Sequence, residues 1–378
     1  MSAAHVSGST SNSPVSVSIT PATDVGSAIS VQIRPPIGTR REGSGFALEA
    51  KVAYLSHPDS YPERPAAVEV VETHMSFVFL TDRHAYKLRK PVLYDFLDFS
   101  TLAARHADCL EEMRLNRRLA ADVYLDVVAL TQRADGPLQL AGGGEAVEWL
   151  VKMRRLPREL MLDRAICGER VSPDDVRRFV LVLAEFYRRA EPVAMDPGFY
   201  RGRFERDIRA NQRELSVADY GLPRALLEAI TVSQLNTLKR EAAAFDQRVA
   251  DGKIVEGHGD LRPEHIFLGR EPVFIDCLEF NRQWRLLDPV EEIAYLSLEC
   301  EHAGAPWISE VAFETYSERT GDVPATRLVR FYKSVRASLR AKLSVWHLRD
   351  HLEAAAREKW IDRARRYLEL AARYASLS

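Results

Sequence analysis

Two carboxylates in the second half of the chain are placed for joint work on a phosphate. Asp260 lies in His258-Gly-Asp-Leu-Arg-Pro-Glu-His265, and Asp276 closes the apolar run Pro272-Val-Phe-Ile-Asp276. Moving a phosphoryl group to an alcohol needs one carboxylate facing the attacking hydroxyl and a second holding a metal on the phosphates. The strand-like stretches His265-Ile-Phe-Leu268 and Pro272-Val-Phe-Ile-Asp276 are joined by Gly269-Arg-Glu271, a hairpin that brings the two carboxylates into one cleft. The candidate cation for the α- and β-phosphates is Lys87, which strand alternation groups with Ala85 and Arg89 and opposes to Tyr86 and Leu88. Lys90 competes with it. A lysine set among apolar strand residues calls for a carboxylate partner, and the following helix offers Glu111 and Glu112. At about 100° per residue, Leu102, His106, Cys109, Leu110 and Met113 make one stripe, with Glu112 near its edge and Glu111 nearly opposite. Glu112 is therefore the choice, although Leu115 and Leu119 make a second apolar stripe near Glu111.

The elements that must position these residues fall into two sets. Residues 1–46 are rich in Ser, Thr, Gly, Pro and Val, without a sustained period, and read as a disordered tail. Residues 47–156 alternate as paired antiparallel strands, Ala67–Val71, Ser76–Thr81 and Ala85–Arg89. One long helix follows from a Ser100 cap to about Ala120, then a hairpin of Leu125–Thr131 and Val147–Met153. Residues 157–378 are mostly helical, with patterns at 174–189, 203–215, 222–248, 289–301 and 327–348, interrupted by the hairpin that ends at Asp276. The expectation is an α+β, two-lobed fold: a small sheet lobe with one helix, then a larger helical lobe.

His258-Gly-Asp-Leu resembles the catalytic loop H-x-D-x-x-x-x-N of the protein kinases, and Asp276 stands where those enzymes place a metal-binding Asp after a short strand. The chain resembles the aminoglycoside phosphotransferase and choline kinase-like family, through His258-Gly-Asp-Leu261 and Asp288-Pro-Val-Glu-Glu-Ile-Ala294. It is more similar still to a bacterial subgroup of uncharacterised members, through Glu72-Thr-His-Met-Ser76, Tyr86-Lys-Leu-Arg-Lys-Pro91, Leu115-Asn-Arg-Arg-Leu119 and Arg262-Pro-Glu-His265. The resemblance spans roughly 47–350 and implies a protein-kinase-like fold. It also implies use of ATP or another nucleoside triphosphate with magnesium, and a small-molecule hydroxyl acceptor. Asp260 would be the base, Lys87 and Glu112 would hold the nucleotide, and Asp276 with His265 would hold the metal. Many members of the subgroup carry an added P-loop kinase domain. No G-x-x-x-x-G-K-[ST] occurs here, so that second activity is not expected.

The sequence departs from the pattern in places. His265 stands where Asn is expected, and imidazole suits zinc, copper, iron or nickel better than magnesium. Manganese use, a site held by Asp276 with phosphate oxygens and water, weakened catalysis, or a histidine that only fixes the loop all remain open. No G-x-G-x-x-G precedes Lys87, so phosphate cover falls to backbone N–H groups around Thr73–Ser76. Asp288-Pro289 reads as architecture, Asp288 capping a helix and Glu291 completing a capping box. Gly142–Gly144 reads as a hairpin loop. Lys333, Arg336 and Arg340, with Arg330 and Lys342 nearby, read as a solvated face with stems on the core, or as a contact for an anionic substrate or nucleic acid. Glu299 and Glu301 are open as attractors of a cationic substrate or as a solvated helix end.

Composition excludes other classes. The 52 Lys+Arg against 54 Asp+Glu leave a net charge of −2, so charge alone points to neither nucleic acid nor a basic partner. Cys109, Cys167, Cys277 and Cys300 are scattered and suggest neither a zinc site nor a disulfide framework. No apolar stretch is membrane-spanning and no secretory signal is read, a transit peptide fitting only weakly, so the cytoplasm is the default compartment. Against the phosphotransferase stands a pseudokinase, a nucleotide-binding module without turnover. A nucleic-acid binder using the basic C-terminal helices is the third reading.

Overall fold

In the computed structural model the described residues are 20–21, 47–94, 97–134, 136–349 and 354–376. The tail reading lies outside them, apart from strand β1 (Thr20–Pro21), which pairs in parallel with Val71 and Glu72.

The first half builds a sheet. Helix α1 (Leu48–Leu55) precedes β2 (Glu69–Glu72), β3 (Ser76–Leu80), β4 (His84–Arg89), β5 (Leu93–Tyr94) and β6 (Leu97–Asp98). Helix α2 (Leu102–Ala120) leads to β7 (Tyr124–Gln132), β8 (Leu138–Leu140) and β9 (Glu145–Arg154). The sheet order is β1-β2-β3-β4-β9-β7-β8, antiparallel throughout beyond the β1–β2 pair. Alternation on β4 sends Tyr86 and Leu88 into a core with Leu55, Phe79 and Leu150, on the α1 face. Ala85 faces the other way, among Cys109 and Met113 of α2 and Val151 and Met153 of β9. Burying a side chain such as Leu88 or Leu150, both fully inaccessible, contributes about 1.5–3 kcal/mol. The sheet half thus carries a second helix beyond the one expected. It is tied in by Lys51, whose Nζ lies 2.9 Å from buried Glu148 of β9, and Arg105 of α2 grips the same carboxylate at 2.8 Å. The N-cap of α2 is Thr101, not Ser100: Thr101 accepts from Ala104 N–H at 3.1 Å, while Ser100 is engaged by Asp98.

The second half is helical. It comprises α3 (Leu162–Cys167), α4 (Pro173–Arg189), α5 (Pro197–Leu215), α6 (Arg224–Arg240) and α7 (Ala242–Ala250), the expected single 222–248 helix being broken at Glu241. After strand β10 (Val255–Glu256) come the short antiparallel pair β11 (Ile266–Phe267) and β12 (Val273–Phe274), then α8 (Arg282–Arg285) and β13 (Leu286–Leu287). Helices α9 (Pro289–His302), α10 (Ile308–Thr320), α11 (Thr326–Trp346) and α12 (Ala354–Ser376) complete the chain; α10 and α12 were not read from sequence. None of the described helices is long and apolar enough to cross a membrane.

Two expectations are corrected here. The basic face of α11 is not solvated: Lys333, Arg336, Arg340 and Lys342 are buried. Arg336 pairs with Glu291 at 2.7 Å and Arg340 with Glu299 at 3.1 Å, so α11 is cross-linked to α9 through the core. Nor does Glu291 complete a capping box. Asp288 does cap α9, accepting from Val290 N–H at 2.9 Å, but Glu291 turns away to Arg203 and Arg336. Two guanidiniums outcompete one backbone N–H for a buried carboxylate.

Candidate active site

Lys87 reaches from β4 to two carboxylates. Its Nζ lies 2.9 Å from Glu112 Oε1 on α2 and 2.7 Å from Asp276 Oδ1 beyond β12. Burial acts against the charge of Lys87, but Asp276 and Glu112 outweigh it and hold the lysine firmly protonated. Glu112 rather than Glu111 makes this contact; Glu111 is occupied by Arg114 and Arg285. Lys90 pairs with Glu72 and does not enter the cluster.

Arg89, on the same strand face, is a second hub that sequence reading passed over. Its guanidinium meets Asp108 at 2.7 Å, Glu112 at 2.6 Å and Glu279. The oxygens of Asp108, Glu112 and Glu279 lie within 4.8 Å of one another. A metal cluster is one way to hold three such carboxylates; here the guanidinium already fills that role. Burial and the neighbouring acids push Glu279 up to about 8, against the pull of Arg89, and burial likewise lifts Asp108 to about 6. The signals were present: Arg89 is two residues beyond Lys87, and Asp108, Glu112 and Asn116 recur every four residues on α2.

Asp276 sits in left-handed backbone, φ 62°, a conformation that costs a non-glycine residue about 1–2 kcal/mol. Two hydrogen bonds hold it there: Asp276 N–H donates to Tyr124 Oη at 3.0 Å and Cys277 N–H to Asn116 Oδ1 at 2.9 Å. The Asp276 side chain remains 31 % exposed, facing the cavity. Burial raises its pKa, yet Lys87 overrides this and keeps it ionised well below the usual carboxylate range.

Asp260 approaches from the facing loop. Arg262 Nε donates to its carboxylate at 3.2 Å and Tyr295 Oη at 3.3 Å. Burial is again overridden, by Arg262 and then Arg340, so Asp260 is a stable carboxylate, able to orient a hydroxyl. The loop is fixed from behind. Glu292 of α9 accepts from the N–H groups of His258, at 3.0 Å, and Gly259, and from Tyr187 Oη at 2.7 Å. Gly259 has φ 87°, and a Cβ there would stand 3.0 Å from both Arg285 and Leu278 Cβ. His258 is buried and neutral, burial pushing it down to about 3. Its Nε2 donates to Ile275 O at 2.9 Å, stitching the Asp260 loop to the strand before Asp276.

His265 lies between the two carboxylates. Its Nδ1 donates to Asp260 O at 2.8 Å, which leaves Nε2 to accept from Arg262 at 3.1 Å, 3.5 Å from Asp276 Oδ2. Both ring nitrogens thus have partners, and Nε2 must release Arg262 before it can bind a metal. The N–H groups of Thr73 and Ser76, expected to cover phosphates, are spent within their own turn, on Ser76 O at 2.8 Å and Thr73 Oγ1 at 3.0 Å. Glu299 and Glu301 are not free attractors, since Arg340 and Tyr367 take the first and Arg373 and Tyr374 the second.

Lys87, Arg89, Glu112, Asp260, His265, Asp276 and Glu279 border one cavity of about 960 Å³ between sheet and helices. Val71, Val78, Leu80, Ala85, Met153 and Ile275 give it an apolar stretch, and Lys87, Asp260, His265 and Asp276 a charged one. A two-lobed α+β protein with a lysine–glutamate pair on the sheet side and two aspartates on the helical side is the class defined by fold and site.

No family model matches the chain. Among curated proteins it is 32% identical over 279 residues to the uncharacterized protein Rv2004c of Mycobacterium tuberculosis, and to the same extent to Mb2027c of Mycobacterium bovis. The match covers 73% of this chain and 54% of each relative, so the chain spans about half the length of the curated relatives it matches. Among solved structures it is similar to a choline/ethanolamine kinase family protein from Mesorhizobium loti, with TM-score 0.48 and 12% identity, covering 87% of this chain and 100% of that one. It is also similar to choline kinase LicA from Streptococcus pneumoniae, with TM-score 0.46 and 15% identity, covering 79% and 90%. A thermostable mutant of aminoglycoside phosphotransferase APH(4)-Ia gives TM-score 0.46 and 12% identity, covering 80% and 95%.

Proposed function

We propose that the chain is a phosphotransferase that moves the γ-phosphoryl group of ATP, or of another nucleoside triphosphate, to a hydroxyl of a small molecule. The observation that carries this reading is the bridging of Glu112 and Asp276 by Lys87 on the cavity that Asp260 also borders. Lys87, braced by Glu112, holds the α- and β-phosphates, with the base against the apolar stretch of the cavity. Asp276 supplies hard oxygen donors to magnesium or manganese, which when bound neutralises charge on the β- and γ-phosphates. Asp260 orients the acceptor and takes its proton as the new O–P bond forms; the bond from the γ-phosphorus to its bridging oxygen breaks and the nucleoside diphosphate leaves. His265 and His258 hold the loops that aim the two aspartates. Catalysis is then chiefly positioning and charge stabilisation.

The test is nucleotide binding by thermal shift, with ATP and GTP in Mg²⁺, Mn²⁺ or EDTA. Ligand at a hundredfold excess over Kd adds about 2.7 kcal/mol of apparent stability. Asp260→Ala is expected to keep that shift and lose transfer, and Asp276→Ala to lose its metal dependence. Turnover retained in Asp260→Ala contradicts the assignment. A pseudokinase is the second reading, favoured by the engagement of both His265 nitrogens. Release of the diphosphate above background with any acceptor decides against it.

A further inference from the structure

Helix α12 forms a basic wall of the cavity that contains Asp260. Lys359, Arg363 and Arg366 follow one another at spacings of four and three, one helical stripe, and all three line the cavity. The stripe shares its cavity with the Asp260 loop, since Asp260, Pro263, Glu264 and His265 line the same cavity. His302 is neutral, burial pushing it down to about 4, and it stacks on Tyr367 with ring centroids 4.0 Å apart.

The charge balance at this end decides the matter. Of its carboxylates, Glu264 pairs with Arg262 at 2.7 Å, a guanidinium it shares with Asp260, and Glu299 pairs with Arg340 at 3.1 Å. Lys359 and Arg366, both exposed, make no ion pair among the described residues. Uncommitted positive charge is therefore present on this cavity wall, in the cavity that Asp260 also lines. The wall is also well anchored, since Ser334 of α11 donates to Ala371 O and Ser233 of α6 to Ala375 O, each at 2.9 Å. The geometry points to an anionic acceptor: a small hydroxyl compound carrying a phosphate or a carboxylate, gripped by Lys359 and Arg366 with its hydroxyl turned to Asp260. This rests on the phosphotransfer reading and names its substrate class.

Isothermal titration of the full chain, saturated with ADP and Mg²⁺, tests it. The probes are glycerol 3-phosphate, glucose 6-phosphate and malate, against choline, ethanolamine and glucose. The expected result is binding of at least one phosphate or carboxylate probe, with the cations silent. That affinity falls at least tenfold in the Lys359→Gln/Arg366→Gln double variant, while ADP affinity stays within about twofold of the parent. Binding of choline or ethanolamine but no anion, no binding by any anion, or an unchanged anion affinity in the variant each overturns the proposal. If ADP itself fails to bind, the phosphotransfer reading falls, and the same titrations without nucleotide still decide whether the stripe is an anion site.

Discussion

Arg89 and its three carboxylates set how this protein responds to pH. Lys87, Arg89, Asp108 and Glu112 surround Glu279, and in the fold its carboxyl titrates near 8 rather than near its ordinary 4.5. Between those values the folded chain holds a proton that the unfolded chain has released, so stability falls as pH rises through the window. Glu279→Gln keeps a polar group on Arg89 and removes the titration. The loss of Tm between about pH 6 and about pH 8.5 is expected to be smaller in that variant than in the parent; equal losses contradict the assignment. At this scale the sequence was partly legible. Alternation and helical angle ranked Lys87 before Lys90 and Glu112 before Glu111, and the Lys87–Glu112 contact agrees with that ranking, because each decision depends on one element. The Arg89 hub gathers α2, β4 and the 276–279 turn, and no single period exposes such a meeting.

Among the elements, α2 does the most positioning. Asp108, Glu112 and Asn116 form a polar ladder on its inner face, reaching Arg89, Lys87 and the backbone of Cys277 in turn. Asn116→Ala strips a buried N–H of its acceptor beside the strained Asp276, which costs about 1–3 kcal/mol. Chemical denaturation measures that loss, and kcat is expected to fall more than nucleotide affinity. Gly259→Ala strikes the other loop, adding a Cβ against Arg285 and Leu278 at φ 87°. The expected loss is about 1–3 kcal/mol, read as a lower Tm; an unchanged Tm means that the loop relaxes freely. Long periodic helices such as α4 and α9 were legible within a few residues. Helix α1 has eight residues and no strong stripe, and α11 hides its charges inside, where ion pairing to α9 overrides the rule that Arg and Lys face water.

Across the whole molecule, the two-lobed plan was legible because alternating strands give way to helical periods near residue 156, whereas contacts between the lobes were not. His74, in the turn between β2 and β3, meets His347 after α11 at 3.2 Å, and His347 stacks on Trp360 of α12, centroids 3.7 Å apart. This clasp joins residues 273 positions apart and links the sheet half to the helical half. His74→Ala removes an exposed contact, so stability should stay within about 0.5 kcal/mol of the parent. Nucleotide release, followed by stopped flow, is expected to quicken; an unchanged rate means the clasp does not gate the cleft. The ion pair between Lys87 and Asp276 has a consequence of its own. In Lys87 the cleft carries a tethered counter-ion to Asp276, present at a high effective concentration, that any free divalent cation must displace. A nucleotide that draws the lysine onto its own phosphates removes that competitor. Metal and nucleotide should therefore strengthen each other's binding by the same factor, as linkage requires, and magnesium alone should find this protein a poor host.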